Sequence, residues 1–299
     1  MSVYLQGIIF LSCINLIAVL GLSLQTGFTG SFNFGQAGFL AIGAYVSTLM
    51  TMKQHAPFAV ALAAGMLASG TVALLLGFPT LRLKGDYFAI ATLGFAEAIR
   101  LLVENLEKIT GGSRGIVGIP NKTSLPVLIP VALGLVWLMR NYIASTHGRK
   151  CVAVREDEIA AQAIAVNVFR YKQISFFVNG LLAGLAGGFL AHYVGFIQPS
   201  MFGIQKSTEL IVMVIFGGMH SITGAVLSAV VLTSLPEILR AAAAWRLVVY
   251  GAAVVFIMVV RPEGLLGSWE LRFRTFRTLG TGTARLCRTL YRKVIHGPA

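Results

Sequence analysis

Long apolar runs, each bounded by charged residues or by Gly and Pro, recur along the chain from its first residues to about residue 260. A helix needs roughly 20 apolar residues to cross the hydrocarbon core of a bilayer. The pattern therefore predicts an all-α, polytopic membrane helix bundle of about nine transmembrane helices, with eight or ten also compatible. The predicted spans are 3–24, 35–52, 57–78, 87–103, 125–143, 174–197, 208–219, 222–239 and 246–260.

One of these runs, from Thr208 to Met219, is shorter than the others. A helix rises about 1.5 Å per residue, so this run cannot cross roughly 30 Å of hydrocarbon alone. We expect a half-helix or a tilted insert there.

Composition agrees with a membrane location. The 299 residues are 56% hydrophobic and 12% charged, which leaves too little polar surface to cover a soluble globule. The net charge of +13 does not indicate nucleic-acid binding, because the basic residues lie in the gaps between apolar runs. Cys13, Cys151 and Cys287 are far apart and show no metal-ligand spacing, so we predict neither a disulfide nor a metal site.

The distribution of Lys and Arg predicts the orientation, since cytoplasmic loops carry the excess. If the segment 140–172 is inside, alternation also places Arg82, Lys84 and the C-terminal tail inside and the N-terminus outside. We divide the chain into a transmembrane domain, 1–267, and a basic cytoplasmic tail, 268–299. The tail either lies on anionic lipid as an amphipathic segment or mainly enforces topology.

The most informative polar insert covers residues 148–166. Glu156, Asp157 and Glu158 precede an alanine-rich run, and acidic residues favour the start of a helix. The pattern predicts a short helix from about residue 157 to 166. Its alanines leave a slim surface that can enter a groove on a partner, although an ordinary helix lying on the membrane surface would look the same.

Two glycine-rich interruptions, 27–38 and 217–224, lie in the two halves of the chain. Irregular backbone at membrane depth is tolerated where it lines a cavity or is buried in protein, and broken helices in corresponding halves indicate a substrate path. Close packing of small residues, as in the glycines between 180 and 188, is the alternative. The candidate path residues are Asn33, Gln36, Thr92, Glu97, Gly217 and Gly218.

Several of these polar residues also have a structural interpretation, and for Glu97 a structural ion pair is the favoured one. Glu97 and Arg100 are spaced to pair on one helix face. Asn179 and His192 could bond a neighbouring helix, and Glu209 is expected near a membrane interface. The chain has no G-x-x-x-x-G-K-[ST] motif and no catalytic constellation, so we predict a non-catalytic subunit without a cofactor.

The run from Arg155 to Ala161, the following residues 167–172 and the small-residue span 180–188 resemble the branched-chain amino acid ABC permease family, in particular its LivM-type subunit. The blocks 26–38, 81–89, 110–116 and 217–225 resemble it in the same order, so the likeness covers about residues 20–267. The insert resembles the EAA loop by which importer permeases dock their ATPases. Ala165 departs from the pattern where glycine is expected, and Ala225 where many relatives have proline.

The resemblance implies a heteromeric importer in a bacterial plasma (inner) membrane. Its partners would be a second related permease, two ATPase subunits, an extracytoplasmic substrate-binding protein and membrane lipid, with no nucleic acid. The cytoplasmic coupling loop would be 144–172. The residues expected to contact the ATPase are Arg155, Glu156, Asp157, Glu158, Ala160 and Ala161.

Substrate and class remain open at this point. Leucine, isoleucine, valine or a related amino acid is expected, and urea or a short-chain amide is the alternative within the family. A proton-coupled secondary carrier with Glu97, His192 or His220 as a relay is the alternative from another class, and a membrane scaffold or receptor is a third.

Overall fold

The computed structural model describes residues 3–83 and 85–238, together with 251, 255, 264 and 265. The predicted span 246–260, apart from residues 251 and 255, and the predicted tail 268–299 lie outside this part. The described helices are α1 Val3–Leu22, α2 Gln36–Lys53, α3 Phe58–Thr80, α4 Asp86–Asn105, α5 Glu107–Thr110, α6 Leu125–Ala144, α7 Thr146–Glu156, α8 Glu158–Ala163, α9 Val168–Val194, α10 Ile204–Gly217 and α11 Ile222–Ile238.

Shorter elements connect these helices. A π-helical segment, Ser23–Phe28, extends α1 without a gap. The two-residue strands β1, Ile116–Val117, and β2, Phe196–Ile197, pair antiparallel and tie the α5–α6 connection to the end of α9. Two 3₁₀ turns lie at Gly112–Arg114 and Pro199–Phe202.

Four helical stretches in the described part are long and apolar enough to cross a membrane: Leu5–Phe28, Phe58–Thr80, Leu125–Ala144 and Val168–Val194. The run Ile222–Leu235 is apolar but shorter. The all-helical membrane architecture predicted from the sequence is therefore supported, while the count of about nine spans stays a prediction.

Helix α9 is the centre of the bundle and packs against α1, α2 and α3. Its glycines make this possible: a Cβ on Gly43 of α2 would lie 2.1 Å from the carbonyl oxygen of Gly184, and one on Gly187 would lie 2.1 Å from that of Leu40. Such distances leave no room for a side chain. The small-residue packing predicted for the glycines of α9 is what brings these helices together.

Aromatic side chains fill the core around the same helix. Phe176 of α9 meets Phe39 of α2 edge to face, with ring centroids 5.4 Å apart, and Phe88 of α4 at 5.9 Å. Phe39 and Phe176 are fully buried, so these contacts fix α4 against the centre of the bundle.

Both predicted interruptions occur, at residues 29–35 before α2 and 218–221 between α10 and α11. The start of α2 lies inside the bundle, because Gln36 donates to the carbonyl oxygen of Ala18, in the interior of α1. The backbone N–H of Ala37 donates to the hydroxyl of Ser207 in the first turn of α10, at 2.9 Å. Helix α10 has 14 residues and is about 21 Å long, as expected for a half-helix.

The polar insert contains two helices where one was predicted. Asp157 ends α7 and caps α8, its carboxylate accepting from the N–H groups of Ile159 and Ala160 at 2.7 and 3.1 Å. The helix predicted at 157–166 therefore covers Glu158–Ala163 only. Helix α9 begins at Val168 behind an Asn167 cap, so the last residues of the predicted loop 144–172 are helical.

Candidate translocation and coupling sites

Four amide side chains meet where the irregular residues 29–35, called the broken segment below, pass α9. The Nδ2 group of Asn33 donates to Oε1 of Gln25 at 3.1 Å. Asn179 donates to the Oε1 atoms of Gln25 and Gln36, at 2.7 and 2.9 Å. All four side chains are fully buried. We call this group, Gln25, Asn33, Gln36 and Asn179, the amide cluster.

The amide cluster lies about halfway along α9. Asn179 is 11 residues from the first residue of α9 and 15 from its last, which is roughly 16 and 22 Å along the axis. Polar groups at such a depth must find partners within the protein. Among the described residues, Nε2 of Gln25 and Oδ1 of Asn179 have none, so the cluster keeps one open donor and one open acceptor.

The predicted path residues divide into three groups. Asn33 and Gln36 belong to the amide cluster, and Thr92 joins it indirectly, because its hydroxyl accepts from the N–H of Phe34 at 3.1 Å. Glu97 forms the second group, and its carboxylate accepts from Arg100 on the same helix, α4. The sequence spacing predicted this ion pair.

The third group, Gly217 and Gly218, lies at the α10–α11 turn. A Cβ on Gly217 would be 2.3 Å from the carbonyl oxygen of Gly224, and Gly218 has a φ of +106°. Close packing explains Gly217, and a backbone conformation that side chains disfavour explains Gly218.

Arg155 at the end of α7 links the insert to the broken segment. Its Nη1 donates to the carbonyl oxygen of Gly27 at 3.1 Å. Gly30, with a φ of +78°, gives Arg155 room, because a Cβ there would lie 3.0 Å from the Cγ of Arg155. A Cβ on Gly27 would lie 1.9 Å from the carbonyl oxygen of Met219. The insert, the end of the π-helical segment and the α10–α11 turn therefore converge at one end of the bundle.

The acidic residues of the insert have different environments. Glu156 is exposed and accepts from Arg155, and this hydrogen bond, with a smaller contribution from His220, lowers the pKa of Glu156 below its ordinary value. The carboxylate of Asp157 caps the start of α8. Glu158 is ion-paired with Lys172 and lines a cavity of about 120 Å³ between the insert and residues 81–88.

The alanines of α8 face opposite ways. Ala160 is exposed, whereas Ala161 is 2% exposed and packs in a small core that joins the insert to the start of α9. That core consists of Cys151, Val154, Ala161, Val166, Val168 and Tyr171. Ala161 therefore anchors α8 to the rest of the chain.

The sequence reasoning missed two exposed apolar residues, Ile159 in α8 and Ile164 directly after that helix. Ile159 and Ile164 are 80% and 70% exposed, and exposed apolar side chains that lie together mark interaction sites. The signal was present in the pattern, since Ala161 and Val166 define an inward face and each isoleucine lies two residues before one of them.

Other singled-out residues have structural partners. His192 is buried and bonds Thr51 and the carbonyl oxygen of Gly188. In the described part of the chain, Cys13 and Cys151 are free thiols, and no group of His, Cys, Asp or Glu could hold a metal ion.

Known proteins resemble this chain over most of its length. The profile of the family described as branched-chain amino acid transport system / permease component matches residues 4–258. The permease protein LivM of the high-affinity branched-chain amino acid transport system of Escherichia coli K12 is 33% identical over 291 residues, covering 86% of this chain and 68% of that protein. No solved structure matches.

Two further relatives are more distant. The LivH permease protein of the same Escherichia coli system is 25% identical over 299 residues, covering 89% of this chain and 95% of its own length. The autoinducer 2 import system permease protein LsrC of Yersinia pseudotuberculosis is 28% identical over 308 residues, covering 85% and 84%. The profile match spans most of the chain, and the chain therefore belongs to the branched-chain amino acid transport system permease family.

Proposed function

We propose that this chain is the transmembrane permease subunit of an ATP-binding cassette importer for branched-chain amino acids. The observation that carries the proposal is the 33% identity to LivM over 86% of the chain. Family membership and the apolar helices support a multi-pass protein of the inner membrane. About nine spans, with the N-terminus outside and the C-terminus inside, complete the proposed topology.

The proposed division of labour leaves ATP hydrolysis to partners. Two ATPase subunits bind below the membrane, a second related permease completes the path, and a soluble protein delivers the substrate outside. The absence of a Walker-type phosphate loop from the sequence is consistent with this division.

Helix α8 is the proposed docking element for the ATPase. Ile159 and Ile164 supply apolar contacts. The charged residues near them are Arg155, Glu156, Asp157 and Glu158. The small side chain of Ala160 lets a partner approach the helix closely. Ala161 acts from the inner side, because its burial fixes the orientation of α8. Exposed apolar residues rimmed by charges are typical of protein interaction sites.

Arg155 is the proposed connection from this docking element to the path. Its hydrogen bond reaches Gly27, and Gln25 of the amide cluster is two residues away in the same π-helical segment. π-helical turns are rare and occur frequently at functional sites. A displacement of α7 and α8 would therefore act on the segment that carries Gln25 and Asn33.

The alternatives differ in what they require. A urea or short-chain amide importer would share the subunits but carry a neutral cargo. A proton-coupled carrier would need a relay, yet His192 is engaged by Thr51 and Gly188, and Glu97 by Arg100.

The test is uptake of labelled leucine, isoleucine, valine and urea by cells that lack or regain this gene, combined with co-purification of the ATPase. Leucine, isoleucine and valine uptake should depend on the gene, and Ile159→Asp should reduce both ATPase recovery and uptake at least fivefold. Thr146→Asp, an added charge at an exposed site in α7, is the matched control. Amino acid uptake that is indifferent to the gene would refute the proposal.

A further inference from the structure

A pair of charged side chains, Lys206 and Glu209, belongs neither to the amide cluster nor to the contact between Arg155 and Gly27. The ammonium of Lys206, in the first turn of α10, donates to Oδ1 of Asn15 at 3.1 Å and to the carboxylate of Glu209 at 3.0 Å. Asn15 donates in turn to the hydroxyl of Thr233 at 2.9 Å. The group thus joins α1, α10 and α11.

Asn15 lies near the middle of the rod formed by α1 and the π-helical segment, 12 residues after Val3 and 13 before Phe28, or roughly 18–20 Å from each end. Lys206 is in the first turn of the shorter helix α10, 11 residues before its end, and Thr233 lies 11 residues after the start of α11 and five before Ile238. The contact with Asn15 therefore places the charges beside the middle of α1.

The charged pair is also accessible. The side chains of Lys206 and Glu209 are 20% and 37% exposed. Charges at membrane depth are costly against lipid and typically face a polar path or a partner. The accessible pair therefore offers one cation and one anion side by side.

We propose that Lys206 and Glu209 form a substrate site on the translocation path that takes the charged groups of a zwitterionic amino acid. The ammonium of Lys206 binds the α-carboxylate, and the carboxylate of Glu209 binds the α-ammonium. Asn15 is a positioning residue, because its Oδ1 holds the Lys206 ammonium in place. The inference rests on the proposed function and narrows its cargo, since neutral urea offers neither charge.

A bound amino acid can replace the Lys206–Glu209 ion pair without leaving either charge unpaired. A ligand that brings one carboxylate and one ammonium replaces each half of the Lys206–Glu209 pair by an equivalent partner, so both charges remain paired while the ligand is bound.

The test uses the assembled importer in proteoliposomes with ATP, its ATPases and its binding protein. Leucine uptake and the recovery of intact complex are measured for wild type, Lys206→Met, and the double neutral variant Lys206→Met with Glu209→Gln. Lys53→Met, which removes an exposed charge at the end of α2, is the matched control.

We expect the double neutral variant to assemble like wild type and to take up leucine at least tenfold more slowly, while Lys53→Met transports normally. Wild-type uptake by the double variant would mean that the pair is only structural and would overturn the inference. Failure of the double variant to assemble would overturn it too, since the pair would then hold an interface. A wild-type importer that carries no amino acid would instead refute the proposed function.

Discussion

The guanidinium of Arg155 donates a hydrogen bond to the carbonyl oxygen of Gly27, 128 residues earlier in the chain and 3.1 Å away. The contact joins the end of α7 to the end of the π-helical segment, where α1 stops and the broken segment begins. An exposed part of the chain and a part buried in the bundle are thus joined by one side chain.

Replacing Arg155 by Lys tests this link, because Lys keeps the charge but lacks the planar fork that reaches Gly27 and Glu156 together. We expect substrate uptake to fall at least fivefold while ATPase binding stays within twofold of wild type. The measurements are uptake in vesicles and co-purification of the ATPase.

Arg149→Lys is the control for Arg155, since Arg149 is exposed and donates to neighbouring positions in the chain, the carbonyl oxygen of Ala144 and the hydroxyl of Thr146. Equal uptake by wild type and the Arg155 variant would remove the proposed mechanical connection.

Gly27 has no space for a side chain. A Cβ there would lie 1.9 Å from the carbonyl oxygen of Met219, so Gly27→Ala must push the α10–α11 turn away, at a cost of about 1–3 kcal/mol for such overpacking. We expect a lower free energy of unfolding in mixed micelles. Gly134→Ala in α6 meets nothing within 4 Å and should be neutral or stabilising by up to about 1 kcal/mol; the reverse order of the two variants would contradict the described packing.

Ala165 has a φ of +59°, a left-handed conformation that costs a residue with a Cβ about 1–2 kcal/mol. Ala165→Gly should therefore stabilise the connection between α8 and α9 by about 1 kcal/mol, and slow amide hydrogen exchange there would report it. Ala163→Gly, inside α8, should act in the opposite direction because helical glycine is unfavourable. Faster exchange in Ala165→Gly would show that the backbone does not hold this conformation.

Asn179 is the hub of the amide cluster, donating to both Gln25 and Gln36. Asn179→Leu leaves the buried Oε1 of Gln36 without its amide donor, whereas Oε1 of Gln25 still accepts from Asn33. An unsatisfied buried group costs about 1–3 kcal/mol, and we expect a loss of stability of that size in a denaturant titration in micelles. Asn105→Leu, which removes a bond from an exposed amide to its own helix, should change stability by less than about 1 kcal/mol.

Sequence alone could place most of the helices, because charged residues and Gly or Pro mark their ends. It could also predict the half-helix α10 from its length and the close packing of α9 from its glycines. It could not predict the second helix in the insert, since Asp157 continues a charged run in the sequence while its side chain ends one helix and caps the next.

The candidate sites were harder to predict for a physical reason. Hydrogen bonds between distant residues, such as Lys206 with Asn15 across 191 positions, depend on how three helices pack, and no local pattern encodes them. Asn33 and Gln36 were identifiable as polar residues in a break, whereas Gln25 became recognisable only through its partners Asn33 and Asn179.

The most direct test of the central claim is amino acid uptake by proteoliposomes that contain this chain with its partner permease, ATPases and binding protein. We predict leucine uptake that requires internal-face ATP, requires this chain, and is unaffected by collapse of a proton gradient. Uptake by this chain alone, driven by a proton gradient and indifferent to ATP and the ATPase, would contradict the permease assignment.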